Sequence, residues 1–246
     1  SAQYQKSAFS LCYVIFAVFT PGQTYGATAG GATIHNVATV NYAGTVATAA
    51  VNVIVDSLAV KPTLTVNPTA FTVLNSGTVS YVYTLINNAN GTDTFNVTAI
   101  SLDAGVGGSP LLDLNASGLP SANFQLGAAI SNASSDSAGN VFIPAGSGAN
   151  LAAGDQIVIA SVGSYTINTI TTGTIATTEG TITTPEIATQ LTLTPVGTAP
   201  AINTGTVPAG YQIGELRSFN LTISTSTALT LGVNGTHTVN LGGSTT

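Results

Sequence analysis

TVSYVYTLINNANGTDTFNVTAI, residues 78–100, carries the clearest strand pattern in the chain. Val79, Tyr81, Tyr83 and Leu85 fall on one face of an extended segment, and Phe95, Val97 and Ala99 answer them beyond Asn87-Asn88-Ala89-Asn90-Gly91. Period-2 alternation gives each segment one apolar face, and its β-branched and aromatic content favours extended backbone. An Asn run closed by Gly tolerates positive φ, so the spacing predicts two strands folded back on each other as a β-hairpin.

Working outward, Ala38, Val40 and Tyr42 alternate, Ala43-Gly44 supplies a turn, and Ala49, Val51, Val53 and Val55 alternate again. That predicts a second hairpin. Leu58, Val60, Pro62, Leu64 and Val66 continue the period, and Pro62, lacking an N–H for the ladder, marks an edge or a strand start. Lys61 falls on the opposite face and is expected in solvent. Residues 103–140 turn to Gly, Ser, Ala, Asn and Pro and read as loop, with short strands near Leu111 to Leu114 and Phe124 to Ile130. Val141 to Ile143, Ile157 to Ala160 and Tyr165 to Ile170 read as a small β module. Phe219, Leu221 and Ile223, then Leu229, Leu231 and Val233, then Val239 and Leu241 supply closing strands, with Asn234-Gly235 as the tightest hairpin signal.

Of the 246 residues only 5% are charged, while 44% are hydrophobic. Soluble proteins average about 25% charged residues, so this surface has to be built from Thr, Ser, Asn, Gly and Ala, which repel their neighbours weakly. Three basic residues against a net charge of −6 leave nothing to neutralise a phosphate backbone, which argues against nucleic-acid binding. The single cysteine, Cys12, excludes an internal disulfide, so stability has to come from β burial.

Residues 8–19, AFSLCYVIFAVF, are the most apolar run, preceded by Lys6 and followed by Thr20-Pro21-Gly22. As a helix the run would rise about 18 Å, short of the ~30 Å hydrocarbon core, so a membrane span is not expected. Its length, the basic Lys6 and the small residues near Gly26 and Ala27 fit a secretory signal. As a strand it would reach about 40 Å, and with both faces apolar it would need burial on both. That strand could lie in its own fold or complete a neighbour's sheet.

The wording NNANGTDTFNVT after an aromatic strand resembles a conserved Ig-like repeat of bacterial and archaeal surface proteins. ATIHNVATVNY resembles the segment that often opens such proteins, and IPAG, LAAGDQIVI and SYTINTI, followed by IGELRSFNLTI, resemble an insertion found in some of them. The resemblance implies an all-β Ig-like sandwich. Its parts would be an N-terminal arm (1–26), a first part of the sandwich (27–105), a β-rich insertion (106–210) and closing strands (211–246). Glu215 and Arg217 would sit where the chain re-enters the core, with a local ion pair between them as their expected role.

No D-x-D or EF-hand spacing gathers oxygens round a cation, no G-x-S-x-G surrounds a serine, and His35 and His237 have no partner pattern in sequence. An enzyme is not expected, and no cofactor or metal is called for. Among the N-x-[ST] sequons, Asn115 and Asn132 fall in predicted loops and are the candidate glycosylation sites. The expected function is a structural protomer of an extracellular filament or pilus, whose N-terminal strand is donated to a neighbouring subunit. The interface residues would be Phe9, Leu11, Tyr13, Val14, Ile15, Phe16, Val18 and Phe19. The partner would be the protein itself, with other cells or surfaces as further contacts and no membrane span in the assembled form. The alternative is a monomeric cell-surface adhesin or spacer whose residues 1–26 are an export signal.

Overall fold

A computed structural model describes residues 29–31, 33–42, 45–67, 78–102, 108–113, 122–179, 182–225 and 237–244. Fourteen strands and no helix occur among them: β1 (Thr33–Tyr42), β2 (Thr45–Ile54), β3 (Thr63–Asn67), β4 (Thr78–Ile86), β5 (Asp93–Leu102), β6 (Gly108–Asp113), β7 (Ala122–Leu126), β8 (Ala128–Ile130), β9 (Asn140–Pro144), β10 (Gln156–Ile159), β11 (Gly163–Glu179), β12 (Ile182–Val196), β13 (Gln212–Thr225) and β14 (His237–Ser244). The fold is all-β and every pairing is antiparallel.

The strands fall into a ribbon of β1 and β2, a nine-stranded sheet, and a three-stranded sheet ordered β14-β5-β7. The large sheet runs β3-β4-β13-β10-β11-β12-β9, with β6 and β8 also on β13. β13 is its spine: the first half pairs with β8 and β10, and the second half with β4 and β6. Along β13, Ile213, Glu215, Phe219 and Leu221 are buried while Ser218 and Asn220 are exposed, the alternation of a strand with one wet face.

The stretch 78–100 keeps its strands but not its predicted pairing. β4 lies between β3 and β13 in the large sheet, while β5 lies between β14 and β7 in the small one, so no hairpin joins them. Residues 87–92 form an arch that carries the chain from one sheet to the other, the connection from which a two-layer β fold is built. The inward set is Tyr83, Leu85, Asn87, Ala89, Gly91, Asp93, Phe95 and Val97, unbroken through the arch. Alternation therefore names the buried face correctly and leaves open which strand is the neighbour.

The second predicted hairpin is observed, with Tyr42 opposite Thr45 and ten pairs in continuous register. β3 starts directly after Pro62 and pairs on β4, and β6, β7 and β8 occupy the two places where short strands were expected. Residues 229–235, read as a closing strand and its turn, lie outside the described residues, and β14 pairs with β5.

Two packed regions result. Tyr83 stacks on Phe219 with ring centroids 5.5 Å apart and planes 9° from parallel. Farther along β13, Val141, Ile143, Ile157, Ile159, Tyr165, Ile167, Leu191 and Ile213 form a core that also takes in Ile202 and Val207 from the loop after β12. Two buried serines fasten that loop. Ser131 Oγ donates to Pro208 O (2.6 Å) and accepts from Tyr211 N (2.8 Å), and Ser135 Oγ donates to Asn203 O (2.6 Å) and accepts from Val207 N (3.0 Å). Ser131→Ala leaves a half-buried carbonyl, that of Pro208, and a half-buried amide, that of Tyr211, without that partner. The expected cost is about 1 to 2 kcal/mol in guanidinium unfolding, with exchange of the Tyr211 amide speeding up before the rest of β13.

Candidate functional site

The asparagines of the arch do more than permit a turn. Asn87 is fully buried; its Nδ2 donates to Gly91 O (3.1 Å) and to Leu126 O (2.8 Å), and its Oδ1 accepts from Ala89 N (2.8 Å). It thereby closes the arch on itself and ties it to the end of β7. Asn88 Nδ2 donates to Lys61 O (3.0 Å) and Thr63 Oγ1 (2.9 Å), fixing the start of β3. Asn90 reaches outward: Oδ1 accepts from Leu58 N (2.7 Å), Nδ2 donates to Asp56 O (3.2 Å), and its carbonyl accepts from Gly30 N (2.8 Å). Gly31 N donates to Val55 O (2.8 Å), and Ala29 packs on Ile130. Both chain segments at the base of the β1–β2 ribbon are therefore held on the core by the arch.

The ribbon itself pairs with no other strand among the described residues. Opposed residues of an antiparallel pair share a face, so Val40 opposite Ala47 and Ala38 opposite Ala49 lie together with Val51 and Val53. All six are exposed, Val40 at 60%, Val51 at 58% and Val53 at 51%. Thr48, Ala50, Asn52 and Ile54 occupy the other face and are exposed too. Residues 33–55 contain no Asp, Glu, Lys or Arg. Such a surface can associate by apolar contact and main-chain pairing, and His35 is the one side chain of residues 33–55 able to carry a positive charge.

Glu215 is the unusual ionisable group. It is 3% exposed, and Oε2 accepts from Gly127 N at 2.7 Å. Desolvation by burial pushes its carboxyl from 4.5 up to about 7; the Gly127 amide opposes this, Asp155 adds to it and the Arg217 charge opposes it. The ion pair expected with Arg217 is not formed among the described residues; the glutamate spends its oxygen on a backbone amide. Alternation along I-G-E-L-R-S-F-N-L already puts Glu215 on the face of Ile213, Phe219 and Leu221, and that is the signal for its burial.

Phe9, Leu11, Tyr13, Val14, Ile15, Phe16, Val18, Phe19 and Asn115 lie outside the described residues. Asn132 is half-buried in a bridge rather than an open loop: its amide donates to Phe142 O (3.0 Å), its neighbour Ala133 pairs with Phe142, and its Oδ1 is buried without a hydrogen-bond partner. Asn220 on β13 is the exposed one among the described sequon asparagines, and its place in a strand hides it from a search of predicted loops. Lys61 is exposed, as expected for a solvated lysine. No group of three or more His, Cys, Asp or Glu that could hold a metal ion occurs among the described residues. No known family model, curated protein or solved structure matches the chain.

Proposed function

We propose that the chain is a structural protomer of an extracellular filament, joined to its neighbour by donation of the apolar N-terminal strand Phe9 to Phe19. The observation that carries this reading is the β1–β2 ribbon, an element without Asp, Glu, Lys or Arg that is fixed at its base and exposed at Ala38, Val40 and residues 47–54. A two-stranded ribbon is marginal alone in water, and sheet edges without charge, proline or bulge invite another strand. The Ig-like resemblance of the surface-protein repeat supports the same reading, since sandwiches of that type are common parts of extracellular assemblies.

Three basic residues in the whole chain leave little for ion pairs between subunits, and surface pairs are screened beyond about 8 Å at physiological salt. A donated strand instead contributes a ladder of main-chain bonds and several buried side chains. Electron micrographs of the purified protein are expected to show fibres that persist in concentrated sodium chloride and dissociate in guanidinium together with unfolding. Ile15→Asp would place an unpaired charge in the acceptor groove, so secreted protein remains while fibres disappear. Dissociation into folded monomers on a change of salt alone, or normal fibres from Ile15→Asp, contradicts strand donation and favours the monomeric spacer.

A further inference from the structure

We infer that Glu215 is a proton-operated latch at the junction of the two sheets. Protonated, it holds both sheet-to-sheet crossings against β13; on losing the proton it lets them open locally while the larger core stays folded. Both crossings close on this one residue. The arch reaches it through Asn87 N, which donates to Glu215 O (3.1 Å). The second crossing is Gly127, which carries the chain from β7 in the small sheet to β8 in the large one. Glu215 grips it from two sides: Glu215 N donates to Gly127 O (2.9 Å), and the carboxyl accepts from Gly127 N (2.7 Å). Asn87 Nδ2 on Leu126 O (2.8 Å) ties the crossings to each other. β7 ends at Leu126 and β8 starts at Ala128, so at Gly127 the side chain of Glu215 stands where a strand ladder would otherwise hold the chain. Segments fastened in this way open at lower free energy than core strands.

The groups around the carboxyl set the direction of the response. Neither the arch (residues 87–92), nor residues 126–128, nor β10, whose Ile157 lies opposite Glu215, carries an ionisable side chain. Asp155, just before β10, disfavours the carboxylate, and Arg217, two residues along β13, favours it. Asp93, opposite Leu126 in the small sheet, accepts from Thr94 N (2.7 Å), and Tyr165, beyond Ile157, gives its hydroxyl to Pro200 O (3.0 Å). Burial outweighs the Gly127 amide and the Arg217 charge, so the closed form keeps its proton up to about pH 7. With water at the carboxyl, the open form titrates at the ordinary 4.5. Opening therefore releases a proton between these values and is favoured as pH rises; below 4.5 and above about 7 the dependence levels off.

Native-state hydrogen exchange of the full chain tests this. It is read at the amides of Asn87, Gly127 and Glu215 and at the ladder amides of β12 in the larger core, each corrected for its intrinsic rate. In dilute guanidinium the junction amides are expected to exchange at a lower free energy than those of β12 and almost independently of denaturant, while β12 follows global unfolding. From about pH 5 to about pH 8 the opening constant of the junction rises roughly 50- to 100-fold. Glu215→Gln keeps an oxygen for Gly127 N and holds that change within about twofold. Asp155→Asn keeps an oxygen for Ala152 N but removes the charge that disfavours ionisation, so the rise becomes smaller. Junction amides that share the free energy and denaturant slope of β12 at both pH values would show global unfolding alone and overturn the latch. A rise that Glu215→Gln leaves intact overturns it as well.

Discussion

Gly214→Ala is expected to cost about 3 kcal/mol or more and to leave little folded protein in moderate guanidinium. A Cβ at this position would stand 1.9 Å from the carbonyl oxygen of Asn87 and 3.1 Å from its carbonyl carbon. Both are backbone atoms, so no rotamer change relieves the clash. The arch cannot retreat cheaply, because Asn87 N donates to Glu215 O (3.1 Å) and the Asn87 side chain is bonded across the arch to Gly91 and beyond it to Leu126. β13 cannot retreat either, since Gly214 is paired with Val158 on one side and Ala128 on the other. Glycine is required here for close approach of two chain segments rather than for its φ. Gly91→Ala is the contrast: its Cβ meets Ser57 Oγ at 3.4 Å and otherwise only Gly30 backbone at 3.8 and 3.9 Å, so a loss below about 1 kcal/mol is expected. Guanidinium midpoints of the two variants decide the matter. Equal midpoints would mean that the arch is not held against β13.

This closeness explains why the stretch that organises the fold is half-legible in sequence. Alternation over residues 79–99 identifies Tyr83, Leu85, Phe95 and Val97 as inward, and all four are buried. Hairpin and arch share that alternation, so partner choice rests on the turn. Tolerance of positive φ is what an Asn-rich turn advertises locally, whereas Asn87, Asn88 and Asn90 are placed for long-range bonds to β7, to the start of β3 and to the base of the ribbon. Propensity is local and those bonds are not. A further clue is Gly214 flanked by Ile213 and Glu215: glycine inside an otherwise regular strand signals another backbone passing close by. The ribbon shows the converse. Its register is readable from Tyr42-Ala43-Gly44-Thr45, but Val51 and Val53, apolar and alternating, imply a buried face and are exposed. A sequence records what a face is suited to contact, and for this face no contact lies within the described part of the same chain.

Stability should fall as pH rises through the range set by Glu215. The buried carboxyl holds its proton up to about pH 7 in the folded protein, against an ordinary value of 4.5, so between these values the native state binds more protons than the unfolded one. Under that condition the slope of unfolding free energy with pH is negative: the contribution is fully present below 4.5 and is lost as pH rises through 7. The interval from 4.5 to about 7 corresponds to a loss on the order of 3 kcal/mol. The physical cause is the desolvation of a carboxylate beside Asp155, which the Gly127 amide and the Arg217 charge offset only in part. Asp136 works in a different window. Desolvation raises its pKa, but the side chain and amide of Asn140 and the amides of Ala138 and Gly139 prevail and lower it, so its contribution is lost only as pH falls below its ordinary 3.8. Glu215→Gln keeps an oxygen for Gly127 and removes the ionisation. Guanidinium unfolding at about pH 5 and about pH 8 should therefore give a stability loss in the parent chain that Glu215→Gln abolishes, with the variant the more stable of the two at the higher pH. A parent chain that gains stability over this interval, or a variant that retains the full loss, would show that Glu215 is ionised in the folded protein throughout and that its burial is offset by charges closer than Arg217.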